Sequence, residues 1–172
     1  MHQNTLQNYA GKSLTTFHLY KIETLISKLY NCFNGDFSYI YIIFSIQEKI
    51  CYIGQTNERL GTIGRLKSHL SNKGTFSKRL LEKKGIQVRL IKDLCLFSYK
   101  LPSLKIFNSS DTTYRECVER LVQFKFQLQR SDFPNKLNVI SKTRIRVSLI
   151  NDKRANRISD DILIEFKKHL TI

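Results

Sequence analysis

From His18 to Phe33 the apolar residues Leu19, Ile22, Leu25, Ile26, Leu29 and Phe33 return at helical spacing, which predicts an amphipathic helix stopped by Asn34-Gly35-Asp36. The period then changes. Tyr39-Ile40-Tyr41-Ile42-Ile43-Phe44 and Ile50-Cys51-Tyr52-Ile53 are aromatic and β-branched, with polar Ser45 to Lys49 between them, and read as a hairpin. Alternate side chains of a strand share a face. Setting Tyr41 opposite Tyr52 pairs Ile40 with Ile53 and Ile42 with Cys51 on one wholly apolar face. The other face then sets Tyr39 against Gly54, and the connection is a two-residue turn at Ile46-Gln47.

Gln55 to Thr62 is polar and predicts a loop, followed by a short helix through Ile63, Leu66 and Leu70 and a second through Phe76, Leu80 and Leu81 that stops at Gly85. Gln87 to Phe97 alternates and predicts a third strand. After a loop around Pro102 and Asn108-Ser109-Ser110-Asp111, a helix capped by Asp111, Thr112 or Thr113 runs through Tyr114, Val118, Leu121 and Val122 to about Arg130. Val139 to Ile150 alternates cations with apolar residues and predicts a strand with one basic face, and Ser159 to Leu170 predicts a closing helix. The expected fold class is α/β (α+β): a small three-stranded antiparallel sheet flanked by helices, with an additional N-terminal helix and a C-terminal strand and helix. At 172 residues, without repeats or a linker, residues 1–172 should form a single domain.

Charge narrows the function. Twenty-nine Lys and Arg against fourteen Asp and Glu give +15 and a pI near 9.8, a self-repulsion that a polyanion such as nucleic acid relieves. No apolar run reaches the roughly 18–20 residues of a membrane span, and Met1 to Thr16 is polar, so an intracellular, cytoplasmic protein that does not enter membranes is expected. Cys32, Cys51, Cys95 and Cys117 sit in apolar segments without a Cys-x-x-Cys pair, and the four His are scattered; this argues for buried thiols and against a zinc site.

Two pairs of residues suit phosphodiester chemistry. Arg65 and His69 are four apart on the expected helix, stacked on one face opposite Ile63, Leu66 and Leu70. Arginine offers a planar fork that matches phosphate oxygens and stays charged. Glu116 and Glu119 are three apart on a later helix, and one carboxylate with water and phosphate can hold a hard divalent cation.

The order Tyr39-Ile40-Tyr41, Tyr52-Ile53-Gly54, Arg65, His69, a helical Glu and then Asn138 resembles the GIY-YIG nuclease superfamily over about residues 38–138. Tyr-Ile-Gly matches fully, whereas Tyr39 stands where the family has Gly. The resemblance implies adjacent tyrosine strands and a catalytic set of Tyr41, Tyr52, Arg65, His69, Glu119 and Asn138, with Glu119 as ligand of Mg²⁺ or Mn²⁺. Arg59 competes with Arg65 because the interval from Tyr52 to Arg65 is long for the family. Gln55 stands where some members carry Lys, leaving Lys49 and Lys67 as substitutes.

In this reading Tyr41 aligns or deprotonates the attacking water, Tyr52 hydrogen-bonds substrate or water, and His69 assists proton transfer. The implied activity is metal-dependent hydrolysis of double-stranded DNA, of sequence-specific restriction or mobile-element (homing) type. A structure-selective repair nuclease or a non-catalytic nucleic-acid binder on the same fold are the alternatives. The flanks 1–37 and 139–172 then serve DNA binding, with Lys142, Arg144, Arg146, Lys153, Arg154 and Arg157 as grip. Cutting both strands with one active site per chain requires a homodimer or sequential nicking.

Overall fold

The computed structural model describes residues 37–133, 136–142 and 151–170. The helix expected over 18–33 and the cations Arg144 and Arg146 lie outside the described residues. Within them, strand β1 (Tyr39–Ser45) and β2 (Ile50–Thr56) form the expected hairpin, followed by α1 (Gly61–Leu70), α2 (Thr75–Lys84), β3 (Cys95–Lys100), the short α3 (Lys105–Asn108), α4 (Thr113–Leu128), β4 (Asn138–Val139) and α5 (Lys153–Leu170). The class is mixed α/β. The sheet has four strands in the order β3-β1-β2-β4, with β4 parallel to β2 and the other pairs antiparallel.

The hairpin register differs from the expected one by two residues. Tyr41 faces Gly54, Ile42 faces Ile53 and Ile43 faces Tyr52. The cause is the turn, which takes four residues, Ile46 to Lys49, with Lys49 at φ 51 and its N–H bonded to the Ile46 carbonyl at 3.2 Å. Asp93 holds it from the loop before β3, accepting from the Ser45 hydroxyl at 2.5 Å and the Gln47 N–H at 2.9 Å. A slip of two keeps every side chain on its face. Ile40, Ile42, Cys51 and Ile53 therefore still line one apolar face, and Tyr41, Tyr52 and Gly54 the other.

The third strand also starts later than the alternation from Gln87 implies. Val88–Leu90 is a 3₁₀ turn in which Leu90 is 63% exposed while Ile91 is buried, so the apolar rhythm there does not mark a sheet face. The basic strand expected from Val139 is described only through its first residues; β4 pairs Asn138 with Ile50 and Val139 with Cys51.

The apolar sheet face packs under α4 and α5. Phe44 and Phe97 meet Phe166 of α5 at ring-centre distances of 5.2 and 5.3 Å, and Phe126 of α4 stacks on Phe133 at 4.1 Å. Helix α5 buries Ala155, Ile158, Ile162, Leu163, Phe166 and Leu170 in this core, and so is a structural layer with Lys153, Arg154 and Arg157 on its exposed side. Among the described residues no helix is long and apolar enough to cross a membrane.

Candidate active site

The hydroxyl-bearing face of the hairpin lies under α1 and α2, which Gly74 joins in a turn too tight for a side chain: a Cβ there would sit 2.3 Å from the His69 carbonyl oxygen. That turn drives α1 down so that His69 is buried with Leu66. His69 and Arg65 both approach Tyr41, as their i, i+4 spacing allows, but His69 does not lie opposite the apolar stripe. The imidazole is part of the interior and the guanidinium stands at its rim, the Arg65 side chain being 40% exposed.

His69 Nε2 lies 2.6 Å from the Tyr41 hydroxyl, and its ring packs edge-on against Tyr52 at 4.8 Å. The Phe76 backbone N–H donates to His69 Nδ1 at 3.3 Å. Burial, reinforced by the nearby Arg65 charge, pushes the imidazole down to about 4, so the ring is neutral at neutral pH. With Nδ1 accepting, the single ring proton belongs on Nε2 and is donated to the Tyr41 oxygen. The Arg65 guanidinium also lies close enough for its charge to act on that oxygen. Accepting from His69 leaves the Tyr41 proton for another partner. Burial, then the neighbouring Tyr52, raises Tyr41 far above the usual phenol range, and burial raises Tyr52 as well.

Helix α4 brings the carboxylate in along β2. Arg115 Nε donates to the Gln55 side-chain oxygen at 3.1 Å and Gln123 Nε2 to the Ile53 carbonyl at 3.2 Å, so Glu119, one turn from each, is bracketed at the level of Gly54. Gln123 also donates to Glu119 Oε1 at 3.0 Å. Among the described residues no hydrogen bond is recorded to Glu119 Oε2. Burial, then the Glu116 charge, raises the Glu119 carboxyl to about 7, and its charge acts on both Tyr41 and Tyr52. Glu116 is otherwise engaged, accepting from Thr112 at 2.8 Å and pairing with Arg120 at 3.1 Å. Of the two helical carboxylates, Glu119 is the one that faces the tyrosines.

Five of the six expected side chains thus gather: Tyr41, Tyr52, Arg65, His69 and Glu119. Asn138 does not join them, because its amide donates to the Lys49 carbonyl at 3.1 Å, at the far end of β2. Arg59 is exposed, and Arg65 is the arginine beside Tyr41. Sequence reasoning missed Gln123, which the i+4 spacing from Glu119 would have exposed, and Phe76 and Glu58, which no local pattern marks. Phe76 covers Tyr52 at 5.8 Å, and Glu58 pairs with Arg65 at 2.9 Å.

Residues 37–98 match the family model of the GIY-YIG catalytic domain. This segment belongs to the GIY-YIG superfamily. No curated protein and no solved structure matches the chain. The GIY-YIG segment supplies both tyrosines, Arg65 and His69, while Glu119 comes from α4, beyond the matched residues.

Of the gathered side chains Glu119 supplies the carboxylate, the donor type that suits a hard divalent ion; among the described residues no group of three or more His, Cys, Asp and Glu that could hold a metal is found.

The two shifted groups oppose each other in stability. His69 is depressed from 6.5 to about 4, so the unfolded chain binds more protons in between and stability rises with pH over that window. Glu119 is raised from 4.5 to about 7, so the folded chain binds more protons and stability falls with rising pH. Each amounts to about 3 kcal/mol at full extent. In metal-free buffer His69→Gln should lose stability on going from pH 4.5 to 7, whereas Glu119→Gln should gain it. Urea midpoints across that range check this, and parallel curves for the two variants would contradict the assignment.

Proposed function

We propose that the protein is a divalent-metal-dependent endonuclease that hydrolyses double-stranded DNA, of the sequence-specific restriction or mobile-element type. The observation that carries this reading is the convergence on Gly54 of two phenols, a neutral imidazole, a guanidinium and a recessed carboxylate from elements far apart in sequence. The +15 charge fits a polyanionic substrate.

Arg65 is suited to the scissile phosphate. Its Nε is a buried donor without an acceptor among the described residues, and its partner Glu58 is 46% exposed. Such surface pairs are worth about 0–1 kcal/mol, so Glu58 yields the guanidinium readily to a phosphate. Tyr41, held by the His69 N–H, stays protonated and directs its own O–H at the attacking water, which it orients toward the phosphorus. Tyr52 hydrogen-bonds substrate or water from the next strand. Glu119 would hold Mg²⁺ or Mn²⁺, which when bound neutralises charge on the phosphate oxygens and shields the leaving oxygen.

Incubating the full chain with supercoiled plasmid and with phage DNA in Mg²⁺, Mn²⁺ or EDTA tests the reading. Discrete metal-dependent fragments are expected. A smear, or cleavage confined to branched DNA, transfers the protein to the structure-selective class, and intact DNA in every tube makes it a binder.

A further inference from the structure

Of the cations first assigned to the grip, Lys153, Arg154 and Arg157 lie on α5, yet a more one-sided charge next to the site is on α2 and its approach. Residues 73–84 carry Lys73, Lys78, Arg79, Lys83 and Lys84 against the single acid Glu82, whereas α5 mixes five cations with Asp160, Asp161 and Glu165. Helix α2 is also fastened to the catalytic histidine. The Phe76 N–H bonds the His69 ring, the Ser77 hydroxyl donates to the His69 carbonyl at 2.7 Å, and Phe76 packs on Tyr52.

With Phe76 and Leu80 buried, Arg79 and Lys83 lie four apart along one flank of α2. Arg79 is close enough for its charge to act on the Tyr52 hydroxyl, and it pairs with Glu82 at 2.7 Å. We propose that Arg79 and Lys83 form a phosphate-binding row that continues from Arg65 and seats the DNA backbone beside the scissile phosphate. This rests on the DNA reading above and adds where the strand runs. The occupant is one strand of a duplex, since spaced cations on a rigid helix match a repeating charge, and phosphate contacts of this kind set register without reading bases.

The test uses the full chain, a fluorescent duplex and EDTA, so that binding is read without cleavage, with anisotropy measured over a range of KCl. Arg79→Gln/Lys83→Gln should flatten the slope of log K against log[salt] by about 1.8, at about 0.9 per phosphate contact. Arg79→Lys/Lys83→Arg should keep the slope, and Glu82→Gln should tighten binding by removing the competing charge. All three alter exposed or half-exposed positions, and unchanged melting temperatures confirm folding. An α5 pair, Lys153→Gln/Arg154→Gln, is the comparison. An unchanged slope in the α2 pair, with or without a fall in the α5 pair, overturns the proposal while leaving the nuclease reading intact. A wild-type chain that neither binds nor cuts DNA overturns both.

Discussion

Glu119→Gln should reduce metal-dependent cleavage by about 10³-fold, roughly 4 kcal/mol of transition-state stabilisation, because among the described residues Glu119 is the carboxylate whose charge acts on both tyrosines. Gln keeps the shape and the hydrogen-bonding length but not the charge that would hold a hard cation. Calorimetric Mn²⁺ binding should weaken in parallel, which separates lost ligation from lost folding. The same variant should be more stable than the parent at pH 8, since burial raises the carboxyl to about 7 and a charged carboxylate there opposes folding. Activity and stability therefore move in opposite directions. A variant that cuts at the parental rate would remove Glu119 from the metal site. Glu116→Gln is the matched comparison: its carboxylate serves Thr112 and Arg120, so cleavage should change by less than about tenfold.

Gly54→Ala should cost about 10²-fold in cleavage and about 1–3 kcal/mol in stability. A Cβ at Gly54 would lie 2.3 Å from the Tyr41 hydroxyl oxygen and 2.5 Å from the ring carbon that bears it. The ring has nowhere to go, being 2% exposed and held by His69 at 2.6 Å. Adding one methyl therefore displaces the phenol oxygen from the His69 ring that donates to it. Tyr41→Phe removes only that oxygen, leaves a buried His69 N–H unpaired at about 1–3 kcal/mol, and should also depress cleavage. Because the nearest clashing atom is absent from the phenylalanine, the two substitutions together should cost less than the sum of their separate losses. Full additivity, or a Gly54→Ala protein with parental rate and melting temperature, would show that the ring does not depend on the bare glycine.

The same glycine shows how a correct local pattern coexisted with a wrong pairing. The expected pairing sets Tyr39 against Gly54, whereas the residue opposite that glycine, with its ring over it, is Tyr41, two residues on. Alternation fixes which face a side chain takes, and it is blind to slips of two; the turn decides those. Nothing local marked Ile46 to Lys49 as a four-residue turn, because its anchor, Asp93, lies 44 positions or more away. The late start of β3 has the same origin, since Asp93 serves the turn and the chain before it makes a 3₁₀ bend.

The sequence by itself determined the mixed class, the hairpin with its apolar and hydroxyl-bearing faces, the helices through Leu66, Leu80, Val118 and Phe166, and the types of side chain that suit a phosphodiester. These follow from periodicity and from chemistry that each residue carries wherever it stands. Only the tertiary structure decided that His69 is buried and neutral as a donor to Tyr41, that Glu119 and not Glu116 meets the tyrosines, and that Asn138 bonds the Lys49 carbonyl instead. Those outcomes depend on which element lies across from which, through a glycine turn at 74 and an α4 bound to the β2 edge by Arg115 and Gln123. Contacts between residues tens of positions apart leave no rhythm along the chain.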